Sequence, residues 1–161
     1  MNIFHYATDI GRMGIAEQDG KLTNISFETD PAPVDAVVRE TQAIREAQRQ
    51  LAQYLAGDLR EFSLPFAPQG TQFLRAVWDQ LRAVAYGQTA TYSQIAERAG
   101  NPRAVRAVGL ACARNPLPLV IPCHRILGSS GKLTGYRGGV ALKQRLLEME
   151  QQHADISLRT S

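Results

Sequence analysis

The segment Pro65-Phe66-Ala67-Pro68-Gln69-Gly70 divides this chain into halves whose hydrophobic patterns cannot share one regular layer. Two prolines remove backbone donors and fix φ, and the glycine loosens the chain, so neither a helix nor a central strand runs through it. Before it, apolar residues alternate in the manner of strands; after it, they recur at helical spacing. The pattern predicts an α+β protein with a small strand-rich N-terminal scaffold domain at 1–65, a linker at 66–70 and a mostly helical C-terminal domain at 71–161. A chain of 161 residues suffices for one domain or two small ones.

In the first half, Ile3, His5 and Ala7 alternate with other residues. Asp19-Gly20 is a hairpin signal, and Leu22, Ile25 and Phe27 form a further run that Pro31 and Pro33 end. From Asp35 to Ala56 the pattern is helical, with Val37, Ile44, Ala47, Leu51, Tyr54 and Leu55 on one stripe and Gly57 as the stop. Phe62 and Leu64 fit a short strand. No cluster of reactive side chains falls here.

Composition excludes several classes. At 44% hydrophobic and 20% charged the chain reads as an ordinary globular protein, and no apolar run approaches a membrane span. The start lacks a charged segment followed by a long apolar core, so no secretory signal and a cytoplasmic location are expected. Cys112 and Cys123 cannot form a disulfide framework and fit a reducing compartment. With His5, His124 and His153 they show no paired metal-ligand spacing, so no metal is expected. The net charge of +3 is uneven. Residues 1–100 carry nine Lys+Arg against twelve Asp+Glu, whereas residues 101–161 carry nine against three. A basic half fits either a solvated surface or a polyanion partner such as nucleic acid.

Within that half, Thr71 is placed to cap a helix whose apolar face is Phe73, Leu74, Val77, Trp78 and Leu81. Thr91-Tyr92-Ser93-Gln94 has capping-box spacing, Gly100 ends the short helix it opens, and Asn101-Pro102 can start a second. Two short helices about a glycine turn read as a helix-turn-helix. On a helical wheel Val105, Val108 and Cys112 take the buried side, and Arg103, Arg106, Ala107, Ala111 and Arg114 the exposed side. Alanines cannot hydrogen-bond base edges in a major groove, but small side chains suit the narrow minor groove. Such a surface binds DNA with little sequence preference.

Arg114-Asn115-Pro116 closes that helix, and Leu119-Val120-Ile121 reads as a short strand. Pro122 can open a helical turn with Cys123 near its N-terminus, where the local positive potential, aided by His124 and Arg125, lowers a thiol pKa. Ile126 to Tyr136 fits a hairpin or a loose lid, with Gly135, Gly138 and Gly139 allowing close approach of a ligand. A last helix is expected from Val140 to Gln151, followed by a frayed tail from His153 to Ser161.

Tyr92, Arg106, Asn115-Pro116, Ile121-Pro122-Cys123-His124-Arg125 and Gly135-Tyr136 stand in one order that resembles the O6-alkylguanine-DNA alkyltransferases, or methylated-DNA–protein-cysteine methyltransferases. The resemblance is specific from about Thr71 to Gln151; residues 1–65 match in outline the family's ribonuclease-H-like N-terminal domain. It implies that Cys123 accepts the alkyl group, that His124 takes the thiol proton through a bound water, and that Glu150 orients His124. It also implies that Asn115 ties the recognition helix to the active-site strand, that Arg106 fills the vacated place in the DNA stack, and that Tyr92 and Tyr136 serve the phosphate and guanine pocket, to which Ile126 is added. Arg137 stands where some members have a serine that donates to the guanine oxygen, and the zinc-ligand cysteines of some animal members are absent.

The implied reaction is direct reversal of DNA damage: an in-line transfer of methyl or a larger alkyl group from O6-alkylguanine, with O4-alkylthymine as a second candidate, in a base flipped out from the minor groove. Tyr92 is expected to neutralise the leaving guanine. The thioether product has no carbonyl for water to attack, so the enzyme is consumed stoichiometrically and needs no cofactor. The expected partner is double-stranded DNA containing alkylated guanine, bound by a monomer without an obligate protein partner or membrane. Three rivals remain open: a helix-turn-helix transcription regulator, which leaves Cys123 and Glu150 idle, a cysteine hydrolase working through an acyl intermediate, and a non-catalytic lesion-binding relative, which lacks the acceptor cysteine and against which Cys123 argues directly.

Overall fold

A computed structural model of the chain describes residues 1–160, with side chains described to residue 155. The chain forms two compact units, Met1–Gln69 and Gly70–Ser161, one built on a sheet and the other mostly helical, which is an α+β fold.

In the first unit, β1 (Asn2–Thr8), β2 (Gly11–Gln18) and β3 (Lys21–Ser26) form an antiparallel meander, and β4 (Val37–Val38) joins β1 in parallel, giving the order β3-β2-β1-β4. Asp19 at φ 54° and Gly20 at φ 81° make the left-handed turn that fits the strands' twist. Helix α1 (Gln42–Leu55) lies against this sheet, and Met13, Ile15 and Ile25 are buried with Ile44, Ala47, Leu51 and Tyr54. The helix expected from Asp35 starts only at Gln42, capped by Thr41. Asp35 takes φ 64°, and the N–H of Val37 donates to the Met1 carbonyl, so Val37 is an exposed edge-strand residue rather than helix core. Phe62 and Leu64 form no strand; Phe62 stacks on Tyr54 at 5.4 Å instead. Residues 65–67 hydrogen-bond to Leu22 on β3, so part of the proline-rich segment extends the sheet.

The second unit contains α2 (Gln72–Arg82), α3 (Tyr92–Arg98), α4 (Val105–Ala113) and α5 (Val140–Thr160). Two short parallel strands, β5 (Ala90–Thr91) and β6 (Ile126–Leu127), pair beside them. Val77, Trp78, Leu81, Ile95, Val108, Leu117, Ile121, Ile126 and Leu146 form its core, each buried aliphatic side chain contributing ~1.5–3 kcal/mol. The indole N–H of Trp78 donates to the Ala111 carbonyl at 3.0 Å, tying α2 to α4. Thr91 and Gln94 form the full capping box, which fixes where α3 begins and thus where Tyr92 points.

Three local expectations for this unit are corrected. Asn101 does not cap α4: its side chain accepts from the Arg103 N–H in a turn, and the helix starts at Val105 without a side-chain cap. Leu119-Val120-Ile121 is not a strand, because Leu119 takes φ 75° and the Ile121 N–H closes a tight turn onto the Leu117 carbonyl. The last helix continues through Thr160 rather than fraying from His153; Ser161 lies outside the described residues. No helix among the described residues is long and apolar enough to cross a membrane.

Candidate active site

The turn after α4 is organised by one buried side chain. Asn115 is fully buried, and its amide N–H groups donate to the Ile121 carbonyl at 2.7 Å and to Cys123 Sγ at 3.2 Å. Its side-chain oxygen accepts from the Leu117 N–H at 2.9 Å. With three bonds it ties the start of the loop to its end and to the thiol, a task that its sequence context (Asn before Pro) signals only as a turn. Cys123 opens a three-residue 3₁₀ turn, Cys123–Arg125, and is 6% exposed.

The expectation that this position lowers the thiol pKa is overturned. Burial pushes the Cys123 thiol above its ordinary value, and the Asn115 hydrogen bond and the charges of Arg137 and Lys143 offset only part of the rise. One turn of 3₁₀ helix supplies little dipole, and desolvation of the thiolate dominates. Cys123 therefore rests as a thiol and needs a base.

The adjacent residue can be that base. His124 is fully buried, and Nε2 lies 2.7 Å from Glu150 Oε2. Burial depresses the imidazole pKa against the opposing pull of Glu150, so the ring is neutral at pH 7. Burial would raise the carboxyl of Glu150, but hydrogen bonds from His124 and Arg125 prevail and hold it at about 2. A carboxylate only accepts, so Nε2 carries the proton and Nδ1 presents the lone pair. Glu150 is further held by the Gly87 N–H at 3.1 Å and by Arg125 through Nε at 2.8 Å and Nη2 at 3.1 Å. Arg125 also donates to the Val84 carbonyl at 2.8 Å. It does not add to the field at Cys123, as the sequence had suggested; it neutralises Glu150.

Beside the thiol is a cavity of about 360 Å³ lined by Tyr92, Gly109, Cys112, Ala113, Cys123, Gly135, Tyr136 and Arg137. Tyr92 and Tyr136 thus share the pocket with Cys123. Ile126 does not: it is fully buried in the β5–β6 pair, one strand position past the reactive turn. Arg137 lines the pocket, and its Nη1 donates to the carbonyls of Asn115 at 2.8 Å and Ala113 at 3.3 Å, where it clamps the C-terminal end of α4. Cys112, expected in the core, is half-buried at the pocket wall. Burial and the nearby Cys123 push its thiol up to about 12, so it stays protonated.

Lys143 was not singled out by sequence. It is 1% exposed, and burial lowers its pKa from the ordinary lysine value. Its Nζ lies 3.3 Å from Thr134 Oγ1 and 5.9 Å from the centre of the Tyr92 ring, and Tyr92 Oη is 2.8 Å from the same Thr134 oxygen. Its only signal was a lysine on an apolar turn of α5, three residues before Leu146.

The outer face of α4 is cationic, with Arg106 on the helix, Arg103 before it and Arg114 after it all exposed. Ala107 is half-buried, but Ala111 is fully buried under Trp78 and does not belong to that face. Val105, expected in the core, is 37% exposed. Val108 and Ala111 are the core-facing pair of α4, with Ala111 held by Trp78. Among the described residues no group of three or more His, Cys, Asp or Glu side chains is arranged to hold a metal ion.

Comparisons with known proteins agree along the chain. Residues 72–152 match the DNA-binding domain of 6-O-methylguanine DNA methyltransferase, and residues 4–68 match its ribonuclease-like domain. A methylated-DNA–protein-cysteine methyltransferase of Methanosarcina acetivorans is 42% identical over 90% of this chain and 95% of its own length. One of Mycolicibacterium paratuberculosis is 43% identical over 92% of each. The crystal structure of Mycobacterium tuberculosis OGT in complex with DNA superposes with a TM-score of 0.90 at 38% identity, over 95% of this chain and 94% of that one.

Proposed function

This chain belongs to the 6-O-methylguanine DNA methyltransferase family, and we propose on that premise that it repairs DNA by moving the alkyl group of O6-alkylguanine onto Cys123. The observation that carries the assignment is a buried Cys123, hydrogen-bonded by Asn115 and followed in the chain by a neutral His124 locked by Glu150, beside a pocket of about 360 Å³. His124 accepts the thiol proton at Nδ1 through a bound water, Glu150 stabilises the imidazolium, and Sγ attacks the alkyl carbon in line with the departing oxygen. Tyr92 supplies the proton that the leaving guanine needs. The thioether does not hydrolyse, so each molecule acts once and no cofactor takes part.

The substrate enters as double-stranded DNA. Arg103, Arg106 and Arg114 hold phosphates, and Ala107 lets α4 approach the minor groove closely. Extruding the damaged nucleotide costs roughly a few kcal/mol, which Arg106 offsets by filling the gap. O4-alkylthymine is a candidate second substrate, the protein acts as a monomer, and a reduced cytoplasm keeps Cys123 available as a thiol. A regulator that only read bases would have no use for a charged Glu150 buried beneath His124.

Mixing the protein with a duplex containing O6-methylguanine and mapping the adduct by mass spectrometry tests the assignment. One methyl group on Cys123 per molecule is expected, and none in Cys123→Ala, which keeps its affinity for DNA. Transfer that persists in Cys123→Ala, or several turnovers per molecule, would refute it.

A further inference from the structure

Arg137 brings a charge to the pocket that methyl transfer does not use. Its guanidinium donates to the carbonyls of Asn115 at 2.8 Å and Ala113 at 3.3 Å, which fix it at the wall, and neither acceptor is an anion. The residues that line the pocket include no acid. The carboxylate of Glu150 is engaged elsewhere, by His124 and Arg125. The positive charges of Arg137 and Lys143 both reach Cys123, where each draws the thiol pKa down against burial. The lining is also bare at two places. A Cβ built on Gly109 or on Gly135 meets nothing within 4 Å. The cavity of about 360 Å³ therefore has room for a group larger than methyl, in a field of positive sign.

We propose that Arg137 makes the site selective for alkyl groups that carry an anion, carboxymethyl above all, over neutral groups of the same size. The proposal rests on the alkyltransferase reading above and names a substrate class within it, O6-carboxymethylguanine in duplex DNA. A thiolate in water reacts more slowly with an anionic alkylating agent than with its neutral counterpart, because two negative charges must approach. A fixed cation beside the sulfur removes that penalty, and it acts more strongly in a site that excludes water. The step itself is that of methyl transfer. The Sγ–carbon bond forms and the carbon–oxygen bond breaks, leaving its electron pair on guanine. Guanine gains one proton, the thiol gives one up to His124, and the carboxylate is carried over unchanged.

The test uses the full chain and two pairs of probes that differ in charge. Iodoacetate and iodoacetamide are the free alkylating agents, and duplexes carrying O6-carboxymethylguanine or O6-carbamoylmethylguanine are the DNA substrates. Product is measured on the Cys123 peptide by mass spectrometry, which keeps any reaction of Cys112 apart. Each result is the ratio of the anionic to the neutral rate within one protein, so a general loss of thiol reactivity cancels. In the wild type the iodoacetate ratio should exceed that of β-mercaptoethanol ~10-fold, and carboxymethyl should leave DNA at least as fast as carbamoylmethyl. Arg137→Met, which removes the charge, should lower both ratios ~10-fold, and Arg137→Lys should retain most of the preference. A wild-type ratio no higher than that of β-mercaptoethanol, slower transfer of carboxymethyl than of carbamoylmethyl, an unchanged ratio in Arg137→Met, or an Arg137→Lys protein that behaves like Arg137→Met would overturn the proposal. A wild-type protein that takes methyl from an O6-methylguanine duplex but discriminates against carboxymethyl refutes this proposal alone; one that takes no alkyl group from any duplex refutes the alkyltransferase reading.

Discussion

Replacing Glu150 by Gln removes the anion that faces both His124 and Arg125, and its cost can be estimated in two ways. Its carboxylate accepts from Gly87, from His124 Nε2 and twice from Arg125, in a site with no solvent exposure. Breaking a buried charge pair from one side leaves the other charge uncompensated, at ~3–5 kcal/mol. Independently, a carboxyl held at about 2 rather than 4.5 is worth roughly 3 kcal/mol at neutral pH. Glu150→Gln should therefore destabilise the C-terminal unit by ~3–4 kcal/mol. Arg125→Met should cost a similar amount, but the double variant should cost much less than the sum, because no lone charge is left buried, with a coupling of ~2–3 kcal/mol. Trp78 is the single tryptophan of the chain and is buried in this unit, so its fluorescence during urea unfolding reports the right transition. A Glu150→Gln cost below about 1 kcal/mol, or strict additivity in the double variant, would refute the view that this ion pair is a coupled structural unit.

Three further outcomes follow from the same geometry. Since the folded pKa of Glu150 is depressed, its contribution is complete above pH 4.5 and is lost as pH falls toward about 2; urea midpoints should drop over that window in the wild type and less steeply in Glu150→Gln. Asn115→Ala removes three side-chain bonds that hold the loop, among them the one to Cys123 Sγ that lowers the Cys123 pKa; it should cost ~1–3 kcal/mol and move the pH profile of iodoacetamide labelling upward, and an unshifted profile would contradict the bond to sulfur. Arg106→Ala should slow repair in duplex DNA more than reaction with free O6-benzylguanine, because only the duplex requires extrusion, and equal losses would count against the gap-filling role.

Elements governed by short-range chemistry were legible in the sequence. The Asp19-Gly20 turn, the Thr71 cap and the Thr91–Gln94 capping box depend on residues within three positions of one another, and they form where the sequence places them. The proline- and glycine-rich segment likewise separates two patterns that no single layer could satisfy. The buried cluster around Cys123 was legible too, because Asn115, Cys123 and His124 lie within ten residues. What depends on distant packing was not. A register set by Trp78 and Ala111 decided which side of α4 is buried and moved Ala111 inside. Pairing with β1 turned Val37 from a helix position into an edge strand. Desolvation, which only the folded interior imposes, raised the Cys123 pKa where local helix geometry argued for a fall. Arg125 met Glu150 across 25 positions, and Lys143, Thr134 and Tyr92 met across 51. The sequence determined that a thiol and an imidazole stand side by side in a basic, helical half; their protonation states were decided by burial and by partners that only the tertiary structure brings within hydrogen-bond distance.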